Sequence, residues 1–218
     1  ILSDIISRYE EHRRGGIPVH ELTEQLWCEK QLDLKLTTDI EPEATREQEQ
    51  GQEKHKELQE QVIDLISVKT ETFEDYLFCR FYRTLDQVEQ LLQEDLTREL
   101  PVFGEINGLF VKGVIDEVHR SNGSLLLLDT KTRGSDRMPT PQQIRCNKFQ
   151  LMMYWSLLHK LIGGKFEFGR LKEIYSFDTE NLSDEFLGRL KSEVGRDLIT
   201  EDINQLGEYL FERFSALP

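Results

Sequence analysis

Long hydrophobic runs are missing from this chain of 218 residues: nothing in it approaches the roughly 18–20 consecutive apolar residues of a membrane-spanning helix, so none is encoded. Cysteine is scarce. Cys28, Cys79 and Cys146 lie far apart with no C-x-x-C pair, and so odd and sparse a set argues against a disulfide framework and for a reducing compartment. Three buried thiols are the plain reading of them. Positive charge is also short: 27 Lys and Arg against 41 Asp and Glu leave a formal net charge of −14, which counts against a phosphate-bearing partner. Internal repeats and low-complexity tracts are absent. The first residue is Ile1 rather than Met, so a preceding segment is expected.

What is present suits one domain with a respectable core. The apolar fraction is 38% and the charged fraction 31%, as in a globular protein with long exposed helices. Charge is unevenly spread. Asp39 to Glu99 is heavily acidic, whereas Lys131, Arg133, Arg137, Arg145 and Lys148 stand against Asp136 alone, and such a local patch can steer an anion toward an acidic molecule. Periodicity predicts helices over residues 1–14, ending at Gly15-Gly16-Ile17-Pro18, and over 20–36, with Leu22, Leu26 and Trp27 as its apolar stripe. It also predicts helices over 43–66, 85–96, 142–161 and 183–217. Strands are expected near 73–83 and 171–177. Helices and strands alternate around a central hairpin, so the class is α/β or α+β.

That hairpin carries the chemistry. Leu109 to His119 and Ser124 to Thr132 are rich in β-formers, and Asn122-Gly123 between them is a strong two-residue turn signal. With Ser121 facing Ser124, the register sets Asp116 opposite Asp129, and alternation returns Lys131 to the Asp129 face. Val114 and Val118 are expected on that face too. Facing acids repel, and partly buried ones need a shared proton, a cation or Lys131 in compensation. Oxygen ligands favour Mg²⁺ or Mn²⁺. Lys131 would orient a water or stabilise charge on a phosphodiester. The bland alternative is a surface hairpin with solvated acids.

Further along, Gln150 and Tyr154 share one helix face, which is either an ordinary half-buried face or a pair of DNA contacts. Met152, Met153 and Trp155 read as core. His55 lies on the stripe of Leu58 and Val62, as a satisfied core histidine or as a neutral ligand. Arg133, Arg145 and Lys148 are candidate phosphate contacts or solvated charges.

Leu22-Thr23-Glu24-Gln25-Leu26-Trp27-Cys28-Glu29, Gly51-Gln52-Glu53-Lys54-His55, Gly113-Val114-Ile115-Asp116-Glu117, Leu128-Asp129-Thr130-Lys131-Thr132-Arg133 and Gln150-Leu151-Met152-Met153-Tyr154 occur in that order. Together they resemble the RecB-like branch of the PD-(D/E)xK nucleases, and within it the exonuclease V family of single-strand DNA exonucleases. The resemblance implies a restriction-endonuclease-like α/β core, with a mixed sheet and central hairpin flanked by helices. It implies a single domain over 1–218, with a helical region over 1–100 and catalytic strands and helix over 101–162. It makes Asp116, Asp129 and Lys131 catalytic. His55, Asp116, Asp129 and the Thr130 backbone carbonyl would hold Mg²⁺ or Mn²⁺, and Gln150, Tyr154, Arg133, Arg145 and Lys148 would bind DNA.

The resemblance also makes Cys28 a ligand of a 4Fe–4S cluster, which needs four thiolates. No cysteine follows Cys146, so the expectation is a C-terminally truncated fragment whose cluster is complete only in the full-length parent. The implied partners are single-stranded DNA and a single-strand-binding protein, with no membrane, in the nucleus or mitochondrion. The function expected is a metal-dependent single-strand exonuclease of DNA repair or genome maintenance. Two alternatives stand beside it: a nuclease-like module that binds single strands or a repair partner without cutting, and an acidic protein-interaction domain.

Overall fold

The computed structural model describes residues 15–37, 69–131, 138–177, 182–194 and 199–218. In chain order these form β1 (Ile17–Pro18), α1 (Val19–Thr37), α2 (Phe73–Glu94), β2 (Leu96–Ile106), β3 (Leu109–Ser121), β4 (Ser124–Leu128), α3 (Pro141–Ile162), α4 (Phe168–Tyr175), α5 (Asp184–Val194) and α6 (Ile203–Ser215). The expected helices over 1–14 and 43–66 lie outside the described residues, as do Gly51, His55 and Arg133.

The sheet is mixed, as expected, and β3 is its spine. Along one edge β3 pairs antiparallel with β2. Its other edge is shared, with β1 parallel beside Val111 and Lys112 and β4 antiparallel beside Glu117 to Ser121. Both hairpins turn on Asn-Gly. Asn107-Gly108 and Asn122-Gly123 have φ of 52° and 79°, and 52° and 71°, the twist that lets a two-residue turn join right-handed strands. Helices α2 and α3 both pack on β2, and α6 closes against α2. Leu100, Val102, Val111 and Ile115 are buried with Leu85, Val88, Leu157 and Leu210 in one apolar cluster. Each such side chain contributes about 1.5–3 kcal/mol by leaving water.

Several expectations are corrected. Residues 73–83 are the first half of helix α2, not a strand. Their aromatic content reads as β, but Leu77, Phe78, Phe81, Tyr82, Leu85, Val88 and Leu91 are buried at helical spacing. A capping box between Thr72 and Asp75 starts the helix there. Residues 171–177 fall mainly in the short helix α4. The long C-terminal helix is two helices, α5 and α6, and the second is capped by Asp202 on Asn204 N–H. On α3 the core face is Tyr154, Leu157, Leu158 and Leu161, so Met152 and Trp155 are exposed and only Met153 packs against the core. Trp27 likewise points to solvent. The thiols are less hidden than expected, with Cys28 exposed and Cys79 and Cys146 half-buried. Cys28 also marks a break in α1, where φ −159° and ψ 102° interrupt the helix.

Candidate active site

The turn at Asn122-Gly123 sets the register from Ser121–Ser124 down to Glu117–Leu128, the last paired rung. The next opposed positions are Asp116 and Asp129, where β4 has ended and the chain leaves the ladder. A hydrogen bond closes this mouth: the Thr130 backbone N–H donates to Asp116 Oδ2 at 2.6 Å. The Asp129 side chain is only 2% exposed, and Lys131 Nζ donates to it at 2.9 Å. Val114 and Val118 do not share an environment as expected: Val114 is exposed and Val118 fully buried.

The reason lies on the neighbouring strand. Burial steps by two along β2 through Leu100, Val102 and Gly104, but by three between Thr97 and Leu100. It also steps by three in β3, between Ile115 and Val118. Between the paired rungs Arg98–Glu117 and Leu100–Ile115 lie Glu99 and Asp116, opposed but not bridged. Glu99 has φ 54°, a left-handed conformation that costs a residue with a Cβ roughly 1–3 kcal/mol and persists only when its surroundings hold it. Gln87 of α2 does so. Its buried side-chain amide donates to the carbonyls of both Arg98 and Glu99, at 2.8 Å each. Asp116 is therefore flanked by an acid on each neighbouring strand. Glu99 went unrecognised in the sequence, although the same register count from Asn107-Gly108 would have set it opposite Asp116.

Helix α3 supplies the roof. Thr140 and Gln143 form a capping box, with Pro141 at the first helical position. Two turns on, Gln150 Oε1 accepts from Lys131 Nζ at 3.1 Å, and Gln150 Nε2 donates to the Tyr154 hydroxyl at 2.8 Å. Gly113 makes room for Tyr154, since a Cβ there would lie 2.4 Å from the ring. This joins the glycine three residues before Asp116 to the Gln–Tyr helix. Tyr154 is 5% exposed, so it presents its hydroxyl to the site rather than a face for base stacking. Burial pushes that hydroxyl up to about 12; Asp129, Asp116 and Glu99 add to the rise and the Gln150 hydrogen bond opposes it. The phenol is thus neutral at physiological pH, and its proton remains available for donation.

Three carboxylates, Glu99, Asp116 and Asp129, thus act on the Tyr154 hydroxyl, and Lys131 pairs with the last of them. Among the described residues no three His, Cys, Asp or Glu side chains form a metal cage of their own. Asp116 and Asp129 nevertheless suit Mg²⁺, which is held through one or two carboxylates and keeps several waters. Arg145 and Lys148 are exposed on α3, one helical turn apart. Cys28 stands without a second cysteine in ligand spacing among the described residues, so these residues do not compose a cluster site. No described helix is long and apolar enough to cross a membrane.

A family model described as "Exonuclease V - a 5' deoxyribonuclease" matches residues 4–125 and 119–208. The chain belongs to the exonuclease V family. Exonuclease V of Danio rerio is 30% identical to it over 179 residues. That match covers 79% of this chain and 43% of the zebrafish protein, so the chain spans less than half the length of this exonuclease V relative. Both matches run across the acidic hairpin.

Proposed function

We infer that this chain carries the hydrolytic centre of a metal-dependent deoxyribonuclease acting on single-stranded DNA ends. The observation that supports it most is the row of acids on β2, on β3 and one residue past β4, with Lys131 held between Asp129 and Gln150. A stable sheet has no use for opposed acids, whereas phosphodiester hydrolysis does. Asp116, Asp129 and the Thr130 carbonyl would hold Mg²⁺ or Mn²⁺, with His55 as a further ligand. A divalent ion bound there supplies a Lewis acid for the phosphate and lowers the pKa of its water.

The protein's own part follows from the hydrogen bonds. Lys131 places an ammonium beside the reacting phosphate, where it stabilises the charge that builds on the oxygens and orients the attacking water. Gln150 fixes the Lys131 head group and turns the neutral Tyr154 hydroxyl toward the acids. Glu99 deepens the negative potential that selects a cation at the site. Arg133, Arg145 and Lys148 are assigned to the DNA backbone. Attack from the 5′ end is the polarity in the family description, and the nuclear or mitochondrial setting belongs to the same reading. Cys28, exposed at the break in α1, would be this chain's contribution to a cluster completed in a longer protein; no step here depends on it.

The test uses single-stranded and duplex DNA labelled at either end, with Mg²⁺ or with EDTA. Single-strand loss that needs the metal is expected, together with a fall of about 10²–10³-fold in Asp129→Asn and Lys131→Ala. Cleavage that persists in EDTA, or that survives both substitutions, would overturn the reading. A module that binds without cutting would bind single strands with strong salt dependence and show no such loss.

A further inference from the structure

A groove of about 980 Å³ lies away from the acids, between the first turns of α2, the β2–β3 turn, α4 and the strap at Gly15-Gly16. Four rings line it in sequence. Phe110 and Tyr175 have centroids 5.7 Å apart, Tyr175 and Phe73 5.9 Å, and Phe73 and Tyr76 6.4 Å. Phe73 and Tyr76 remain 46% and 45% exposed, although both sit beside core residues of the same helix. The strap lies close against the wall: a Cβ on Gly15 would stand 2.9 Å from the Tyr175 ring, and one on Gly16 2.4 Å from Phe110.

The charge lining this groove is opposite to that of the chain. Arg80, Lys112 and Arg170 line it against Glu105 alone, in a protein of net charge −14. Arg170 is tied to Glu105 at 2.7 Å. Arg80 makes no ion pair among the described residues: its guanidinium donates to the Tyr76 hydroxyl at 3.1 Å and lies 5.7 Å from that ring's centre. An exposed ring backed by a guanidinium, beside a lysine, is the combination that holds single-stranded nucleic acid, with bases on the rings and phosphates on the cations. An acidic peptide would use the cations but not the exposed rings.

We propose that this groove is a second binding site for single-stranded DNA, holding nucleotides away from the scissile bond. Its choice of ligand rests on the nuclease reading above. Two rulers set its separation from the acids. Tyr76 lies eleven residues before Gln87 on α2, about 16 Å along the axis. Lys112 lies four residues before Asp116 on β3, about 13 Å. A strand of several nucleotides spans that gap; a dinucleotide does not.

The test is fluorescence anisotropy of labelled oligothymidine, 2 and 20 nucleotides long, titrated with the chain in EDTA, where no metal-dependent cleavage intervenes. Tyr76→Ala is expected to weaken the 20-mer about tenfold and to leave the dinucleotide within about twofold. Arg80→Gln is expected to lower the slope of log affinity against log salt by about one unit. Photocrosslinking of 5-iodouracil-substituted DNA to the unmutated chain, mapped to Phe73 or Tyr76, gives a readout independent of variant folding. Absent 20-mer binding, binding by both variants equal to that of the unmutated chain, or crosslinks confined to α3 and β4 would overturn the proposal. Binding through the groove by a chain that never cuts would keep this site and sink the nuclease reading instead.

Discussion

Two neighbouring rungs of one sheet treat their acids in opposite ways. At Arg98–Glu117 the ladder is intact and the charges are matched: Arg98 Nε donates to Glu117 at 2.8 Å, and His119 meets the same carboxylate at 2.6 Å. Those hydrogen bonds, His119's first, hold the Glu117 carboxyl below its usual range against the opposing push of burial. One residue on, at Glu99–Asp116, the bridge is missing, both residues are acids, and Glu99 takes a left-handed backbone. Asp129 then stands on Asp116's other side. The first rung stabilises the sheet and the second strains it. An acid matched to cations on its own sheet is structural; the acids that face one another are the ones to which the proposed function assigns a cation.

Asp75 is structural too and gives the largest expected effect. Its buried carboxylate accepts from the N–H groups of Glu71, Thr72 and Ser183 and from the Ser183 hydroxyl, all within 3.1 Å. Burial alone would raise its pKa, but these bonds outweigh burial and lower it. Asp75→Ala should destabilise the chain by about 2–4 kcal/mol in urea unfolding, through lost capping and orphaned donors. Cleavage at low temperature should be retained. A variant as stable as the parent would break the contrast.

Glu99→Gln should act the other way. In EDTA it removes a like-charge opposition and should raise stability by about 0.5–1 kcal/mol. With Mg²⁺ present it should slow cleavage and raise the metal concentration needed for half-maximal rate. Reduced stability in EDTA would mean that Glu99 is held as Glu117 is.

The smallest effect on cleavage is expected at Glu117. Glu117→Gln should cost about 0.5–1 kcal/mol at pH 7 and change cleavage little. Because its folded pKa lies below the ordinary 4.5, its stabilisation is present above that value and is lost as pH falls through the folded pKa. The difference between variant and parent should therefore shrink in thermal melts as pH falls below the ordinary 4.5. A difference that persists there would assign the effect to packing.

The sequence was most legible where the signal was local. Asn122-Gly123 carried the β3–β4 register and, with it, the approach of Asp116 to Asp129. Asn107-Gly108 offers the same signal, but β2 escaped recognition because Pro101, Gly104 and the break at Glu99 spoil its alternation. Helix α2 was misread over 73–83 because Phe, Tyr and Cys favour strands, while what decides the outcome is burial of one helical face, Phe78 against Phe186 of α5 and Phe81 against Phe168 of α4. The same tertiary effect turned Met152 and Trp155 outward: α3 had enough Leu and Tyr to fill its core face without them. Gln87 was invisible for a different reason, since its importance comes from two carbonyls that only the fold leaves unpaired. The groove had no linear signature at all, because its cations and rings come from three separate stretches, 73–80, 110–112 and 170–175.

The most direct test of the central claim is calorimetric titration of Mn²⁺ into the DNA-free chain, beside Asp116→Asn and Asp129→Asn. One saturable site in the parent, lost or weakened at least tenfold in both variants with their melting temperatures kept, is the predicted result. Equal Mn²⁺ binding by all three proteins, or none by the parent, would contradict it.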